Sequence, residues 1–236
     1  MKLTSITFAG LVGLVSHAAA QALSAPPATV RVMPFGASIM SGCWRANLYR
    51  KLFDNNVSNF DFVGGETGGE CGWPYDKEHE GHPGYLAVEV AQNKNLVGWL
   101  QKSTPDVILM HIGTNDILIG KKKTDEIIKG YGTLIDQMRA AKPSMRIIIS
   151  QLLPIDTNKF GAEVQAGIVD LNKAIAKWGP IYSTVESPIA IVDNFTGFNV
   201  TIDTSDGEHP NEWGNQKFAN KFFAPTADAI RRVSHT

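Results

Sequence analysis

The sequence predicts an α/β protein, a three-layer α/β/α sandwich around a mostly parallel, five-stranded sheet. Short apolar runs alternate along the chain with longer segments of helical periodicity, which is the order of elements in βαβ units. The short runs are apolar at successive positions, as in a parallel sheet that is covered on both faces. Strands joined by such helices imply right-handed crossovers and a flavodoxin-like arrangement.

Each element has its own signal. The strand at 106–111 reads DVILMH and is the most continuous apolar run. The helix at 124–141 has apolar residues three and four positions apart, from Ile127 to Met138. We assign the Met and aromatic residues of the helices to the core. The predicted strands are 30–34, 60–63, 106–111, 145–150 and 189–192, and the predicted helices are 45–53, 124–141, 162–178 and 213–233.

The first 20 residues read as a secretory signal peptide. Lys2 is followed by an apolar run at 6–15 and by three alanines at 18–20. The run is too short to span a bilayer. We therefore expect a signal peptide at 1–20, a short spacer at 21–29 and a single domain at 30–236, secreted to the extracellular space.

Two further features are typical of an extracellular protein. Cys43 and Cys71 are expected to form a disulfide, worth about 3–4 kcal/mol in the chain-entropy model. Two separate buried thiols are the alternative. The N-x-S/T sequons predict glycosylation at Asn56, Asn194 and Asn199.

The segment at 64–84 does not fit the alternation of strands and helices. It is rich in glycine, carries both Glu and Asp charges, and contains no long apolar run. A loop of this length inside a compact domain is usually functional or disordered. Because Cys71 lies inside it, a disulfide to Cys43 would tie it to the neighbourhood of Ser38.

Composition and missing motifs exclude several classes of partner. The formal net charge is −1 and the basic run at 121–123 is short, so we expect no nucleic-acid partner. After the leader, no segment is apolar and long enough to span a membrane. The sequence lacks H-x-x-x-H, C-x-x-C, a P-loop and G-x-G-x-x-G, so we expect neither a metal nor a nucleotide cofactor. We expect a monomer.

Chemically useful side chains follow three of the predicted strands. Ser38 follows the first strand, Asn115 the third, and Asp206 and His209 the fifth. Because ligands of open α/β sheets bind beyond the carboxyl ends of the strands, these groups are expected to meet. A hydroxyl, an imidazole and a carboxylate are the groups that acyl transfer needs.

The expected roles follow from this chemistry. His209 would accept the proton of Ser38, and Asp206 would orient and stabilise the imidazole. The backbone N–H of Ser38 and the side chain of Asn115 would donate to the oxyanion, and Gly84 is the candidate for a third donor. Singly, each signal has another interpretation: a helix cap for the serine, a salt bridge or half of a metal site for the acid–histidine pair, and a turn for the asparagine.

The motifs resemble those of a known superfamily. The stretches 36–39 (GASI) and 113–116 (GTND), and the pair Asp206-x-x-His209, resemble three conserved blocks of the SGNH, or GDSL-type, hydrolases. The stretch 80–85 (EGHPGY) resembles the block that supplies the oxyanion glycine. The sequence of these blocks is most similar to that of carbohydrate esterase family three, which contains acetyl xylan esterases. The resemblance runs from about residue 30 to the end.

The resemblance implies that Ser38 is the nucleophile, that Gly84 and Asn115 complete the oxyanion hole, and that Asp206 and His209 complete the triad. One departure is Ala37, where the family usually has Asp. This Asp is not a reacting group, so its loss bears on the support of the nucleophile turn. Gly64 or Gly65 is the alternative source of the glycine N–H.

The predicted function is a secreted serine esterase that removes acetyl groups from a plant cell-wall polysaccharide such as xylan. The reaction class comes from the residues, and the acetylated polysaccharide partner comes from the resemblance alone. One alternative is a lipid or thioester hydrolase, although no long apolar lid segment occurs. Another is a non-catalytic carbohydrate-binding protein, which only Ala37 supports. Of the other histidines, His82 is assigned either to substrate contact or to a structural bond, and His111 to a satisfied core position.

Overall fold

The computed structural model describes Met1 and residues 28–235. The predicted signal peptide and most of the predicted spacer lie outside the described residues. Within 28–235 the chain forms a sheet with helices on both of its faces. This confirms the predicted three-layer α/β/α arrangement.

The sheet contains the five predicted strands and two short additional ones. The five run parallel in the order β2–β1–β5–β6–β7, which is the flavodoxin-like order. The strands are β1 (Val30–Gly36), β2 (Phe60–Phe62), β3 (Glu66–Thr67), β4 (Glu78–Gly81), β5 (Val107–His111), β6 (Arg146–Ser150) and β7 (Ile189–Val192).

The two additional strands correct the predicted count of five and the interpretation of 64–84 as a loop. β2 pairs only with the first half of β1, at Val30 to Val32. Because the second half of β1 would otherwise have an open edge, β4 pairs there, in parallel, at Phe35 and Gly36. β3 pairs antiparallel with β4. The 64–84 segment therefore extends the sheet beside the end of β1.

Nine α-helices occur in the described part of the chain, and the four predicted ones are confirmed within a few residues. The other five have four to eight residues and are too short to give a clear helical period. The helices are α1 (Trp44–Asp54), α2 (Ala87–Gln92), α3 (Asn95–Lys102), α4 (Thr114–Leu118), α5 (Thr124–Ala141), α6 (Thr157–Phe160), α7 (Ala162–Tyr182), α8 (Val200–Asp203) and α9 (Glu212–Ser234).

The core lies on both faces of the sheet. Met33 and Phe35 of β1 belong to the cluster that includes residues of α2, α3, α5 and α7. Val32 points to the other face and belongs to the cluster of α1 and α9. Successive strand residues thus bury opposite faces, which explains the continuous apolar runs. Among residues 28–235, no helix combines the length and apolar character that a bilayer span requires.

The disulfide prediction is confirmed, because Cys43 and Cys71 are bonded, with their Cα atoms 5.5 Å apart.

The three N-x-S/T sequons differ in their surroundings. Asn56 and Asn199 are exposed. Asn194 is only 3 % exposed, and its amide nitrogen donates to Ser150 Oγ at 2.8 Å. In the folded chain the amide that would carry a glycan at Asn194 is therefore buried and bonded, and glycosylation at the three sequons stays a prediction.

Candidate active site

The nucleophile turn, residues 36–42, carries Ser38 away from the end of β1. A Cβ atom at Gly36 would lie 1.9 Å from the carbonyl oxygen of His111, so only glycine allows β1 and β5 to approach so closely there. Ser38 then begins a single turn of 3-10 helix, Ser38–Ser41, directly beyond the carboxyl end of β1. This places the hydroxyl at the edge of the sheet where ligands of such folds bind.

The nucleophile turn is supported without an acidic residue at position 37. Ala37 is 8 % exposed and packs into the core. Ser41 Oγ donates to the carbonyl of Ser38 at 2.7 Å, and Trp44 Nε1 donates to the carbonyl of Ile39 at 2.8 Å. These bonds hold both sides of the turn. The departure from the Gly-Asp-Ser pattern therefore leaves a well-bonded turn.

Ser38, His209 and Asp206 form a continuous chain of hydrogen bonds. Ser38 Oγ lies 2.8 Å from His209 Nε2, and His209 Nδ1 lies 2.8 Å from Asp206 Oδ2. Because an ionised carboxylate only accepts hydrogen bonds, Nδ1 carries the proton and Nε2 accepts from the serine hydroxyl. The imidazole is thus in the tautomer in which it can act as the base.

Asp206 is held in its ionised form. Partial burial raises the pKa of this carboxyl, but hydrogen bonds from the backbone of His209 and Glu208 and from the His209 ring outweigh it and lower the pKa to about 2. The two backbone bonds to Asp206 Oδ1 measure 2.7 Å and 2.9 Å. The carboxylate is therefore available to stabilise an imidazolium across the acidic and neutral pH range.

The acid–base loop, residues 204–210, is supported in part by bonds within itself. The Ser205 N–H donates to the carbonyl of His209 at 2.9 Å, and the Gly207 N–H donates to Thr204 Oγ1 at 2.9 Å. These bonds close the loop on itself and fix the separation between Asp206 and His209. The D-x-x-H spacing is therefore matched by a local hydrogen-bonded structure.

Asn115 follows β5 as the second residue of α4 and is only 6 % exposed. Its Nδ2 donates to the carbonyl of Tyr85 at 3.2 Å, which fixes the plane of the amide. The neighbouring Asp116 is buried, and its carboxylate accepts from the N–H groups of Ala87 and Val88 at 2.7 Å and 3.0 Å. Asn115 and Asp116 together bind the segment that follows Gly84.

Gly84 meets the requirements for an oxyanion donor better than Gly64 or Gly65 does. Its φ is +82°, a Cβ atom there would contact nothing within 4 Å, and its N–H donates to no acceptor within residues 28–235. The Gly65 N–H is already bonded to Glu80 Oε2 at 2.7 Å. Gly64 packs against the backbone of His79, where a Cβ would lie 2.1 Å away.

The 64–84 segment is anchored by Arg45, a residue that no sequence pattern singled out. Arg45 lies in α1, is fully buried, and donates to the carbonyls of Ser41, Gly68 and Lys77 at 2.8 to 2.9 Å. It therefore joins the nucleophile turn to both limbs of the segment. Within a predicted helix, an arginine is normally a surface residue, so only the folded contacts reveal this role.

Two of the other histidines, His82 and His111, are packed against other residues of the fold. His82 Nε2 lies 2.7 Å from Glu80 Oε1, and its ring stacks on Trp99 with centroids 4.1 Å apart. His111 is buried, and burial lowers its pKa to about 4, so it is neutral. Its Nε2 has no hydrogen-bond partner in the described part of the chain, which corrects the expectation of a satisfied core group.

Within residues 28–235, no cluster of three His, Cys, Asp or Glu side chains could hold a metal ion.

The fold and the site are those of a serine ester hydrolase: a serine, a histidine and an aspartate bonded in series beyond the carboxyl edge of a doubly wound sheet. The model of the GDSL-like lipase/acylhydrolase family matches residues 35–217. The chain belongs to that family.

Two solved structures with the same fold are also named as esterases. The structure of an acetyl esterase mutant with an acetate ion superposes on this chain with a TM-score of 0.80, and the two sequences are 33 % identical. The superposition covers 86 % of this chain and 99 % of the acetyl esterase. A carbohydrate esterase of family 3 from Talaromyces cellulolyticus has a TM-score of 0.79 at 33 % identity, with the same coverage of 86 % and 99 %.

Curated relatives are more distant and longer. A multidomain esterase of Ruminococcus flavefaciens is 26 % identical over an alignment of 219 residues, and the alignment covers 83 % of this chain and 28 % of that protein. Another curated relative matches over 62 % of this chain and 60 % of its own length. The chain thus spans less than two thirds of the curated relatives that it matches.

Proposed function

We propose that this protein is a secreted serine esterase that removes acetyl groups from a plant cell-wall polysaccharide such as xylan. The observation that carries the proposal is the bonded series Ser38–His209–Asp206, with both hydrogen bonds at 2.8 Å. The signal-peptide pattern and the disulfide support secretion, because disulfides persist in oxidising compartments.

The first half of the reaction forms an acetyl-enzyme. Ser38 Oγ attacks the ester carbonyl carbon while His209 Nε2 takes the hydroxyl proton. The carbonyl oxygen becomes an oxyanion and accepts hydrogen bonds from the N–H groups of Ser38 and Gly84 and from Asn115 Nδ2. His209 then gives its proton to the departing sugar oxygen, the ester C–O bond breaks, and the acetyl group remains on Ser38.

The second half releases acetate. His209 Nε2 takes a proton from a water molecule, whose oxygen attacks the acetyl carbonyl carbon. The same donors stabilise the second oxyanion. The bond to Ser38 Oγ breaks, and the proton held by His209 returns to the serine, so the site regains its starting state. Throughout, the ionised Asp206 stabilises the positive charge that develops on His209.

The substrate class rests on similarity. The two solved structures at 33 % identity are named an acetyl esterase and a carbohydrate esterase of family 3. Both are covered at 99 % of their length, so the likeness extends over the whole catalytic domain rather than over one motif. An acetylated polysaccharide is therefore the proposed partner.

A substrate panel tests the proposal. We expect release of acetate from acetylated xylan, and activity on p-nitrophenyl esters that falls steeply from acetate to butyrate to octanoate. Preference for octanoate, or a flat profile, would instead indicate the lipid hydrolase. An enzyme that hydrolyses p-nitrophenyl acetate but releases no acetate from any acetylated polysaccharide would contradict the substrate while leaving the reaction class intact.

A further inference from the structure

We infer that the indole of Trp213 is a binding platform for the sugar ring that carries the scissile acetyl group, an inference that rests on the proposed function. Trp213 is the second residue of α9 and lies four residues after His209. Its side chain is 64 % exposed. The prediction that aromatic residues of this helix belong to the core holds for Phe218 and Phe222 but is wrong for Trp213.

The other four tryptophans are engaged by the fold. Trp44 is buried and packs on Phe222, Trp99 stacks on His82, and Trp178 lies against Tyr182. Trp73 is partly exposed, but the guanidinium of Arg50 lies over its ring, 5.4 Å from the centroid. Within residues 28–235, the Trp213 ring has no aromatic partner, no cation over it and no hydrogen bond from its nitrogen.

The backbone at Trp213 is nevertheless fixed. Its N–H donates to Oδ1 of Asn211 at 3.0 Å, and the amide of Asn211 donates to the carbonyls of Ile202 and Thr204. Helical side chains lean toward the N-terminus of their helix, which for Trp213 is the direction of the turn that carries His209. The N-cap thus fixes the backbone that carries an indole without an aromatic partner, four residues after the base.

A second exposed aromatic residue adjoins the candidate oxyanion donors. Tyr85 follows Gly84, is 40 % exposed, and its carbonyl accepts the hydrogen bond from Asn115. Trp213 is therefore tied to the acid–base side of the reacting centre and Tyr85 to the oxyanion side.

The chemistry of this surface suits a neutral pyranose ring. One face of such a ring presents C–H groups with small positive partial charge, which pack against the negative face of an aromatic ring. The contact involves the sugar and leaves the acetyl group free to enter the oxyanion hole. Binding energy from this non-reacting part of the substrate would lower KM for carbohydrate esters.

The test compares two substrates in purified variants of the full chain. For acetylated xylo-oligosaccharides, Trp213→Ala should lower kcat/KM about tenfold, mainly through KM, which corresponds to about 1.4 kcal/mol. For p-nitrophenyl acetate, which has no sugar ring, the loss should stay below about twofold. Trp213→Phe keeps an aromatic face and should recover most of the oligosaccharide activity.

The matched control is Trp73→Ala, another partly exposed tryptophan, which lies against α1 with its nitrogen 3.4 Å from the carbonyl of Ala46. It should leave both substrates within about twofold of wild type. Equal losses on the two substrates in Trp213→Ala, or no loss on either, would overturn the role of Trp213 while leaving the proposed function in place. A wild-type enzyme that hydrolyses p-nitrophenyl acetate but not the oligosaccharide would overturn both.

Discussion

The nucleophile turn and the acid–base loop hold their reacting groups in different ways. The nucleophile turn is packed into the core and is supported from outside, by Trp44 and Arg45 of α1 and by the disulfide at Cys43. The acid–base loop lies at the surface and combines bonds within itself, such as the one that Asp206 accepts from the backbone of His209, with bonds from Asp156 N–H and Lys159 Nζ to its carbonyls. The nucleophile is thus positioned by a neighbouring buried helix, whereas the acid and the base are bonded directly to each other within one short loop.

The largest effect is expected from Ser38→Ala, which removes only the hydroxyl. The kcat should fall by roughly four to six powers of ten, because the nucleophile is lost. The melting temperature should change little, because the bonds that support the turn use the backbone of Ser38 rather than its side chain. A folded variant that keeps a tenth of the wild-type kcat would remove Ser38 from the nucleophile position.

Asp206→Asn tests the acid–base loop. The amide nitrogen would donate to His209 Nδ1 and force the proton onto Nε2, which then no longer accepts from the serine. The kcat should fall by roughly three to four powers of ten. Circular dichroism and the melting temperature provide the control for folding, and a loss below about tenfold in a folded variant would contradict the assigned role.

Asn115→Ala sharpens the comparison, because this amide belongs to neither region. Losing an oxyanion donor should lower kcat by roughly two to three powers of ten, about 2.7–4 kcal/mol, with little change in KM. The lost bond to the carbonyl of Tyr85 should also lower the melting temperature. If kcat is normal in the folded fraction, Asn115 is a turn residue only.

Removing the disulfide separates support from chemistry. The double variant Cys43→Ser with Cys71→Ser should lose about 3–4 kcal/mol of unfolding free energy in the chain-entropy model. The kcat at 25 °C should stay within a few-fold, because the bonds around Ser38 remain. Mass spectrometry of the unreduced wild type should show the linked peptides. Two thiols that react with iodoacetamide in the native protein would refute the bridge.

The smallest effect concerns Asp76, in the 64–84 segment. Burial, together with the neighbouring Asp61, raises its pKa to about 6, whereas hydrogen bonds lower that of Asp206. The folded state therefore binds a proton at Asp76 that the unfolded state releases near pH 4, and stability should decline as pH rises from about 4 to about 6. A melting-temperature profile should show this slope in wild type and a flatter one in Asp76→Asn. The same slope in both would exclude Asp76.

The sequence allowed the two contrasting regions to be predicted to different extents. The bonds between Asp206 and His209 join residues three positions apart, so their spacing already indicated them. The position of Ser38 followed from the apolar strand before it. The bonds from Asp156 and Lys159 to the acid–base loop, and the bond by which Arg45 joins the nucleophile turn to Lys77, 32 residues away, are not encoded in any local pattern.

The remaining differences have similar causes. β4 reads EHEG and has no apolar signature, because its pairing completes the open edge of β1 rather than burying a hydrophobic face. The choice of Gly84 over Gly65 required knowing that Glu80 already occupies the N–H of Gly65. Trp213 lies in a segment with an ordinary helical pattern, and only its exposure in the folded chain separates it from the core aromatics.

The adjacent pair Asn115 and Asp116 has a consequence for redesign of this protein. Asn115 donates to the carbonyl of Tyr85, and Asp116 accepts from the N–H groups of Ala87 and Val88. These bonds fix the number of residues that can connect β4 to α2. An insertion or deletion at 82–86 would separate these backbone groups from the side chains that bind them. The stretch around Gly72, where a Cβ would meet nothing within 4 Å, is the place to graft a longer loop.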